Sequence, residues 1–321
     1  MTLKQLRILR EIARQSMNIS SAATALFTSQ PGVSRQIQLL ERELAVDLLV
    51  RRRNRILAFT DAGRAVLDAA QRLLAEAENI RRIAADARAD EGGRLALATS
   101  HLHARYTLLG PVKAFSRRYP KVQLHMLQAD PDDIARLVEE NEADIGVSTE
   151  TAGQHPRLIQ LPCGPIRRSL ITPKGHPLAR RRGLTLADLS RYPIVGYHPR
   201  SRGGQIITRA FRDGGIEARF VVSANDSDVI KAYVAEGLGI AVVPTLALDR
   251  GADKGIHAAD ITALFPASEM TLSLRRDTYL SGYLADFIQM VVPRWNRQAI
   301  ERLMQATDVP AAAGRARDRA V

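Results

Sequence analysis

The chain has 321 residues, 45% of them apolar and 25% charged, enough for two or three folded units. Its formal net charge of +12 makes a polyanion such as nucleic acid the first partner to consider. The single cysteine excludes a disulfide framework, and the charged residues among the first apolar positions are unlike a signal peptide or a membrane span. We therefore expect a cytoplasmic protein with no membrane partner.

Residues 1–60 hold much of the positive charge. They carry ten basic and four acidic side chains, which gives a net charge of +6. This is half of the net positive charge of the whole chain, in under a fifth of its residues. A solvated surface rarely concentrates charge in this way, so we expect contact with nucleic acid here.

Three short helices are predicted within this basic segment. Apolar residues from Leu3 to Ala13 recur at helical spacing, and Asn18 or Ser20 can cap a second helix. Pro31 suits the first turn of a third helix, where its missing N–H costs nothing. Two helices joined by a tight turn form a helix-turn-helix, whose second helix fits the major groove of DNA. The buried stripe of that helix is predicted to be Val33, Ile37, Leu40 and Leu44.

The opposite face of the third helix is polar, and its residues are the candidates for contact with DNA. Small polar residues and an arginine stand at its N-terminal end, the end at which a recognition helix reads base edges. This face offers Gln30, Ser34, Arg35 and Gln38 to solvent or DNA, and Thr28, Ser29 and Pro31 complete the set of DNA contacts that we expect here.

A run of basic residues follows, and an apolar run comes directly after it. The pattern favours a β-hairpin with a basic tip, the wing of a winged helix-turn-helix; a solvated basic loop is the alternative. We assign residues 1–59 to a DNA-binding domain. The wing is predicted to contact DNA phosphates through Arg51, Arg52, Arg53 and Arg55.

A long linker helix is predicted over residues 60–89, which contain no proline. Its apolar positions repeat every 3.5 residues, the period of a helix packed along a partner helix. Packing on its own domain is the alternative, and it would favour a 3.6-residue period and a wider apolar face. We predict dimerisation through Val66, Ala70, Leu73, Ala77, Ile80, Ala84 and Ala87.

Strands and helices alternate beyond a break at Asp90–Gly93, which predicts an α/β domain of two lobes with a ligand cleft. Residues 306–321 have no periodicity and are expected to be disordered. The domain is predicted over 93–305, with lobe I at about 93–163 and 268–305 and lobe II at about 164–267. Strands are predicted near 94–99, 122–128, 143–148, 169–172, 193–197, 220–223, 239–243 and 271–275, and helices near 106–118, 132–141, 202–213, 226–236 and 280–297.

The sequence contains no enzyme signature. It has no phosphate-binding loop with its lysine, no Gly-x-Ser-x-Gly motif and no His-Glu-x-x-His motif. His101 and His103 could begin a metal site, but the one plausible third ligand, His125, lies on another predicted strand. We predict no catalytic residue, no metal ligand and no cofactor.

The stretch from Ala98 to Tyr106 predicts a small-anion site, because a strand ends there in hydroxyl residues and a helix begins. Helix N-termini present free N–H groups and partial positive charge. Ser148 and Thr149 end another strand in the same way, and Arg200–Gly204 opens a helix in the second lobe. Each of these could be a helix cap alone, but together, at one cleft, they favour ligand binding.

This arrangement resembles the LysR-type transcriptional regulators over nearly the whole chain. The segments SQPGVSRQIQLLE from Ser29 and TDAG from Thr60 are close to that family's signature. Four segments are also similar to its CysB-like subgroup: ATSHLHARY from Ala98, RYPKVQLHM from Arg118, LPC from Leu161 and DVIKAYVAEGLG from Asp228.

The resemblance implies a function and a set of partners. Regulators of this subgroup control genes for sulfate uptake, cysteine synthesis or sulfonate use, more often as activators. It implies a homodimer or homotetramer that binds interrupted dyad sites in double-stranded DNA, contacts RNA polymerase, and holds a sulfur-related anion or an acylated serine in the cleft. The cleft contacts carried over to this chain are Ser100, Leu102, His103, Thr149 and Arg202, to which the strand end and the helix start add Thr99 and Ser201.

Leu102, His103 and Arg202 stand where the sulfate-binding pattern of the subgroup has hydroxyl and amide groups. Leucine cannot donate a hydrogen bond, whereas arginine adds a fixed charge and a forked donor. A sulfonate, a sulfate ester or a nucleotide-linked sulfate is therefore an alternative to sulfate.

Two other classes of protein explain less of the sequence. A solute-binding protein or an enzyme built on the α/β part leaves the first 60 residues unexplained. A structural nucleoid protein leaves the two-lobed cleft unexplained. We therefore predict a ligand-responsive transcriptional regulator and not an enzyme.

Overall fold

The structure is a computed structural model, and it describes residues 1–52, 55–87, 92–149, 155–249 and 251–305. The chain divides into two compact units, Met1–Asp90 and Glu91–Val321. Arg53, the side chains of Arg55 and Ala87, and the predicted disordered tail lie outside the described residues. Among the described helices, none combines the length and the apolar character needed to cross a bilayer.

The first unit contains the predicted helices and hairpin. Its elements are α1 (Leu3–Arg14), α2 (Ile19–Ala25), α3 (Gln30–Leu44), β1 (Leu49–Arg52), β2 (Arg55–Phe59) and α4 (Asp61–Ala87). β1 and β2 pair antiparallel, so the basic run after α3 is a wing and not a simple loop.

Side-chain caps fix the starts of the three short helices. Thr2 caps α1 and Asn18 caps α2. Ser29 starts α3 by accepting a hydrogen bond from the backbone N–H of Gly32 at 3.2 Å, and Pro31 occupies its first turn as predicted. Each cap stabilises its helix by about 1 kcal/mol, so local chemistry sets the turn between α2 and α3.

The core of the first unit includes the start of α4. Val66 and Ala70 of α4 pack in this core, because α1 lies along α4 there. This placement corrects the predicted dimer seam at its first two positions. Leu73 and Ile80 are 47% and 61% exposed, so the exposed part of the seam begins at Leu73. The core residues from the helix-turn-helix and the wing include Leu6, Leu9, Ile12, Val33, Ile37, Leu40 and Leu48.

The segment Thr60–Gly63 joins the wing to α4 through close backbone contact. The Thr60 hydroxyl donates to the carbonyl of Asp47 at 2.7 Å and accepts from the N–H of Gly63 at 2.9 Å. A Cβ at residue 63 would overlap the carbonyl of Leu48, so this approach requires glycine. The spacing of threonine and glycine in the TDAG segment follows from this contact.

The second unit alternates strands and helices. In chain order it contains β3 (Gly93–Thr99), α5 (His101–Tyr106), α6 (Leu109–Arg118), β4 (Val122–Gln128), α7 (Pro131–Glu139), β5 (Ile145–Thr149), β6 (Leu158–Pro165), β7 (Arg168–Pro173), α8 (Leu186–Ser190), β8 (Ile194–Tyr197), α9 (Arg202–Asp213), β9 (Phe220–Ala224), α10 (Ser227–Ala235), β10 (Ala241–Pro244), β11 (Ile256–Asp260), β12 (Glu269–Arg275), α11 (Gly282–Val291) and α12 (Arg297–Gln305). Single 3-10 turns lie at Pro177–Arg180, Thr245–Ala247 and Thr262–Leu264.

Two sheets form two lobes in this unit. Lobe I has the strand order β4-β3-β5-β12-β6, in which β3 is parallel to β4 and β5, and β12 is antiparallel to its neighbours. Lobe II has the antiparallel order β10-β7-β11, with β8 and β9 as a parallel pair beside it. A single bridge between Ile194 and Ile240 connects that pair to the approach to β10. The predicted two-lobed α/β architecture is confirmed.

The chain passes between the lobes twice, from β6 to β7 and from β11 to β12. The N–H of Ile166 on the first crossing donates to the carbonyl of Ser268 on the second at 2.8 Å. The buried guanidinium of Arg168 donates to the Pro266 carbonyl at 3.2 Å and to the Ser268 hydroxyl at 2.7 Å. The two crossings therefore form one hinge, which we define as Ile166–Arg168 and Pro266–Ser268.

Two predicted helices are shorter than predicted. The helix predicted at 106–118 is α6, which begins at Leu109 and is separate from α5, because Pro111 would clash with the carbonyl of Thr107 in a continuous helix. The helix predicted at 280–297 is α11, which ends at Val291, since Pro293 lacks an N–H and disfavours helical backbone before it; α12 begins only at Arg297. The sequence patterns did not indicate β6, β11 or the short α8.

The structure predicts a stability role for Glu41, which joins α3 to the wing. Its buried carboxylate accepts the N–H groups of Leu48 at 3.0 Å and Leu49 at 3.3 Å and pairs with Arg51 at 2.7 Å. Glu41→Gln should lower the free energy of unfolding by about 1–3 kcal/mol, because a neutral amide replaces a charged acceptor. Urea unfolding of the full chain, followed by circular dichroism, measures this change.

The matched control is Glu43→Gln, whose side chain is 51% exposed beside the N-terminus. It should change stability by under about 0.5 kcal/mol. Equal effects of the two substitutions would contradict the structural role assigned to Glu41.

Candidate functional site

The polar face of α3 is exposed to solvent, whereas Val33 and Ile37 on its other side are buried. Six predicted contacts are exposed: Thr28, Ser29, Gln30, Pro31, Arg35 and Gln38. Ser34 is half-buried. We call these seven residues the α3 face; it is accessible to a partner at the N-terminal end of a capped helix.

Phe27 lies in the turn before the α3 face and was missed by sequence reasoning. Its ring is 99% exposed, and its φ of 50° places it in the left-handed region, where a bulky residue is strained. Two backbone hydrogen bonds hold this turn, from Phe27 to Thr24 at 3.1 Å and from Thr28 to Ala23 at 2.9 Å. The turn thus presents an apolar ring next to polar contact residues.

The wing arginines differ in their surroundings. Arg51 and Arg52 are both exposed, and Arg51 is also paired with the carboxylate of Glu41 at 2.7 Å. Arg53 and the Arg55 side chain lie outside the described residues. Of the four predicted phosphate contacts, Arg51 and Arg52 are accessible, and Arg51 also ties the wing to α3.

A cleft of 540 Å³ lies between the two lobes of the second unit. Arg168 of the hinge and Tyr197 at the end of β8 also line it. No local pattern marks Arg168, because its burial depends on a crossing strand about a hundred residues away. Five of the seven predicted effector contacts line the cleft: Ser100, Leu102, Thr149, Ser201 and Arg202.

Thr99 and His103 do not line the cleft. The Thr99 hydroxyl is buried and donates to the carbonyl of Val147 at 2.9 Å, which ties β3 to β5. The ring of His103 is buried against α5, with Nδ1 3.0 Å from the hydroxyl of Thr107. Among the described residues, its Nε2 has no hydrogen-bond partner. Both side chains are buried within lobe I.

The start of α9 is the most positive feature of the cleft. Ser201 caps α9, accepting from the N–H of Gly204 at 3.1 Å and donating to the carbonyl of His198 at 2.8 Å. Arg202 follows as the first helical residue, and the first turn of α9 contains no acidic residue. A cation at this end of a helix adds to the positive end of the helix dipole, so the site favours an anion. α5 has six residues, which makes its own dipole weak.

A polar network joins the lobes beside the cleft. Asp228 at the start of α10 lies 3.1 Å from Nε of Arg105 and 3.4 Å from the ring of His101, and it accepts a hydrogen bond from Tyr106. Lys231, one turn further along α10, donates to the Tyr106 hydroxyl at 2.9 Å. These three residues of α5 are therefore bound to two residues of α10, and we call the five the interlobe network.

Electrostatics keep this network charged. Burial opposes ionisation of Asp228, but the hydrogen bonds from Tyr106 and Lys231 outweigh burial and lower the pKa of Asp228. Burial also opposes the charge on Lys231, yet contacts with Tyr106 and Asp253 leave its pKa raised. Both groups are ionised at neutral pH, so Asp228 forms a charged pair with Arg105 of the other lobe, and the charged Lys231 donates to the Tyr106 hydroxyl of that lobe.

His101, Asp226 and Asp228 bring ligand atoms within 4.8 Å of one another, a spacing that a metal ion could use. Both carboxylates already have protein partners. Asp226 caps α10 through the N–H groups of Asp228 and Val229, and Asp228 belongs to the interlobe network. We therefore interpret this group as part of the link between the lobes.

An exposed recognition helix with a wing, and a two-lobed cleft with a positive wall, define a DNA-binding regulator with a ligand-binding module. Residues 3–64 match the family model for bacterial regulatory helix-turn-helix proteins of the lysR family. Residues 88–296 match the model for the LysR substrate binding domain. The chain belongs to the LysR family of bacterial transcriptional regulators.

Similar proteins support this assignment over nearly the full length. The chain is 40% identical over 305 residues to the HTH-type transcriptional regulator SsuR of Burkholderia cenocepacia, covering 95% of this chain and 99% of that protein. It is 36% identical to CysB of the same organism, covering 95% and 97%. It is 40% identical to the regulator cbl of Escherichia coli, covering 90% and 92%. These relatives are transcriptional regulators and not enzymes.

Solved structures are similar in both parts of the chain. The cofactor-binding domain of the Cbl transcriptional regulator aligns with a TM-score of 0.63 and 34% identity, covering 68% of this chain and 96% of that one. Full-length CbnR in complex with its target DNA aligns with a TM-score of 0.56 and 25% identity, covering 91% and 99%. The predicted family and fold are confirmed.

Burial of His103 predicts a pH dependence of stability. Burial lowers the pKa of His103 from 6.5 to about 4, so between these values the unfolded chain binds a proton that the folded chain does not. The stability that depends on a neutral His103 is therefore fully present above pH 6.5 and is lost as pH falls towards 4. The loss from this residue should be about 2–3 kcal/mol.

His103→Gln should flatten this dependence, measured as urea unfolding at about pH 7 and about pH 4.5. The matched control is His125→Gln, since His125 is exposed. A wild-type slope that persists in His103→Gln would show that other groups cause it.

Proposed function

We propose that this LysR-family regulator controls genes of sulfur metabolism, more often as an activator, by binding interrupted dyad sites in double-stranded DNA. Three relatives named as the regulators SsuR, CysB and cbl are 36–40% identical to it over at least 90% of the chain. The observation that carries the DNA-binding part is the exposed α3 face on a helix whose start is fixed by Ser29 and Pro31.

DNA is read in this proposal by two parts of the first unit. The α3 face enters the major groove and contacts base edges, with Arg35 as the residue able to form a bidentate contact. The wing contacts phosphates, chiefly through Arg52 among its described side chains. Residues 1–59 form the DNA-binding domain, and residues 60–89 form the linker.

The linker joins two copies of the chain. Leu73, Ile80 and Ile83 of α4 are exposed apolar residues on a helix that is otherwise rich in charge. Leu73 and Ile80 are one heptad apart, with Ala77 between them, which is the spacing of a helix pair. Dimers formed in this way, or tetramers built from them, match the two halves of a dyad site.

The cleft of residues 93–305 holds the effector. A small sulfur-related anion or an acylated serine fits a wall formed by Ser201, Arg202 and Arg168. The bound effector favours one lobe arrangement and thereby changes how the regulator, working in the cytoplasm, acts with RNA polymerase at a promoter.

The proposal predicts that Arg35→Ala weakens specific DNA binding about tenfold to a hundredfold, the value of one bidentate base contact. Wild-type protein first selects its preferred duplex from a random-sequence DNA pool. Gel-shift titrations of that duplex and of a shuffled duplex, at one salt concentration, then give the specificity ratio.

Arg72→Ala is the control, because Arg72 is an exposed arginine on α4 outside the α3 face. It removes the same charge, so it should leave the specificity ratio unchanged. If Arg35→Ala lowers binding to both duplexes equally, Arg35 contacts phosphate, and the proposed contact of Arg35 with a base is wrong.

For the linker, Ile80→Glu should weaken dimerisation at least about tenfold, since it places a charge in an apolar seam. Sedimentation equilibrium over a range of protein concentrations measures the dissociation constant. Arg72→Glu on the same helix is the control, and it should change association little. Unchanged association of Ile80→Glu would place the dimer contact elsewhere.

A further inference from the structure

We propose that the effector of this cleft is an organic sulfonate with one negative charge and an apolar body of several carbon atoms. This inference rests on the proposed function, because it takes the cleft to be the effector site. It goes further by selecting one ligand chemistry from the sulfur-related anions and the acylated serines.

The size of the cleft favours an organic ligand. Its volume of 540 Å³ lies within the range of about 300–1,000 Å³ that is typical of sites for organic ligands. A water molecule takes about 30 Å³ of liquid volume, so a five-atom oxyanion would leave most of the cleft to solvent. A ligand that fills the cleft needs a body attached to its anionic group.

The cleft is lined by both polar and apolar side chains. Its cations are Arg202 at the start of α9 and Arg168 of the hinge, and uncharged polar groups come from both lobes, among them Ser100, Thr149, Ser201 and Asn225. The apolar part comes from both lobes and from the hinge, so an apolar body would contact all three. Its residues are Leu102, Ile166, Ile206, Ile207, Val242 and Val243.

Leu102 distinguishes most clearly between a bare oxyanion and an anion that carries a hydrocarbon body. It lies on α5 directly after Ser100 and His101, half-buried at the cleft wall. A bare oxyanion placed against it would lose hydrogen bonds to water and gain none. A hydrocarbon body in the same place gains the free energy of apolar burial. Leu102 therefore favours a ligand with a hydrocarbon body over sulfate.

Carboxylates at the cleft limit the charge of the ligand. Asp130 and Asp133 are exposed residues of its lining, and Asp226 lines it at the start of α10. Asp133 pairs with Arg136 at 3.4 Å. Asp130 and Asp226 offset Arg168 and Arg202, so the partial positive charge at the start of α9 favours one negative charge while a second is repelled. A sulfonate carries one charge, as does a sulfate ester, whereas sulfate and nucleotide-linked sulfates carry two or more. The charge balance selects the monoanion.

The test is a ligand series on the full-length chain, with affinities measured by isothermal titration calorimetry. The series is sulfate, methanesulfonate, butanesulfonate and hexanesulfonate, with hexanoate and hexyl sulfate to test the head group and O-acetylserine to test a polar body. Affinity should rise about fourfold for each added methylene until the cleft is filled. Sulfate, hexanoate, hexyl sulfate and O-acetylserine should each bind more weakly than hexanesulfonate.

Leu102→Ser tests the apolar wall. It should reduce the rise in affinity from methanesulfonate to hexanesulfonate several-fold while retaining methanesulfonate binding. Leu109→Ser is the matched control, because Leu109 is 70% exposed and does not line the cleft. A thermal unfolding scan of each variant shows that it is folded before the titrations are compared.

The outcomes separate this inference from the proposed function. Tighter binding of sulfate, hexanoate, hexyl sulfate or O-acetylserine than of hexanesulfonate overturns the inference and leaves the effector cleft intact. An affinity that does not depend on chain length, or a dependence unchanged in Leu102→Ser, also overturns it. If none of the probes binds while DNA binding persists, both the inference and the effector part of the proposed function are wrong.

Discussion

The cleft exists because the chain crosses twice between two sheets, and the buried guanidinium of Arg168 fastens one crossing to the other. Its donors reach the carbonyl of Pro266 and the hydroxyl of Ser268, and the guanidinium lies 5.9 Å from the centre of the Phe265 ring. A cation buried in this way is stable because its hydrogen bonds are supplied by the protein. The same side chain lines the cleft, so the hinge is part of the cleft wall.

A second constraint acts between α5 and α10. Both helices contribute residues to the cleft at their N-terminal ends, Ser100–Leu102 on one and Asp226 and Ser227 on the other. Arg105, Tyr106 and Lys231 follow within a turn of these residues and belong to the interlobe network. The lobes are thus connected covalently at the hinge and by charged side chains at the network, and movement of one lobe strains both connections.

How much the sequence could predict depends on the range of the interactions involved. The start of α3 was predictable because Ser29 and Pro31 act on backbone groups within three residues. Val66 and Ala70 were assigned to a partner helix because periods of 3.5 and 3.6 residues diverge too little over one turn to separate the two kinds of packing. His103 was placed in the cleft by its resemblance to the subgroup's cleft positions, and a helix of six residues is too short for periodicity to reveal its buried face. The role of Arg168 depends on Ser268, and only the folded chain brings them together.

A ligand can shift the lobes only by as much as it binds one arrangement better than another. In this cleft that difference can arise at two places at once. An anionic group that contacts Arg202 of lobe II and Arg168 of the hinge responds to their separation, and an apolar body between Leu102 and Ile206 responds to the distance between the lobes. Sulfate is too small to span these groups together. A ligand with a head and a body contacts both lobes and the hinge, so its affinity depends more steeply on the lobe angle, which is the property that a regulator requires of its effector.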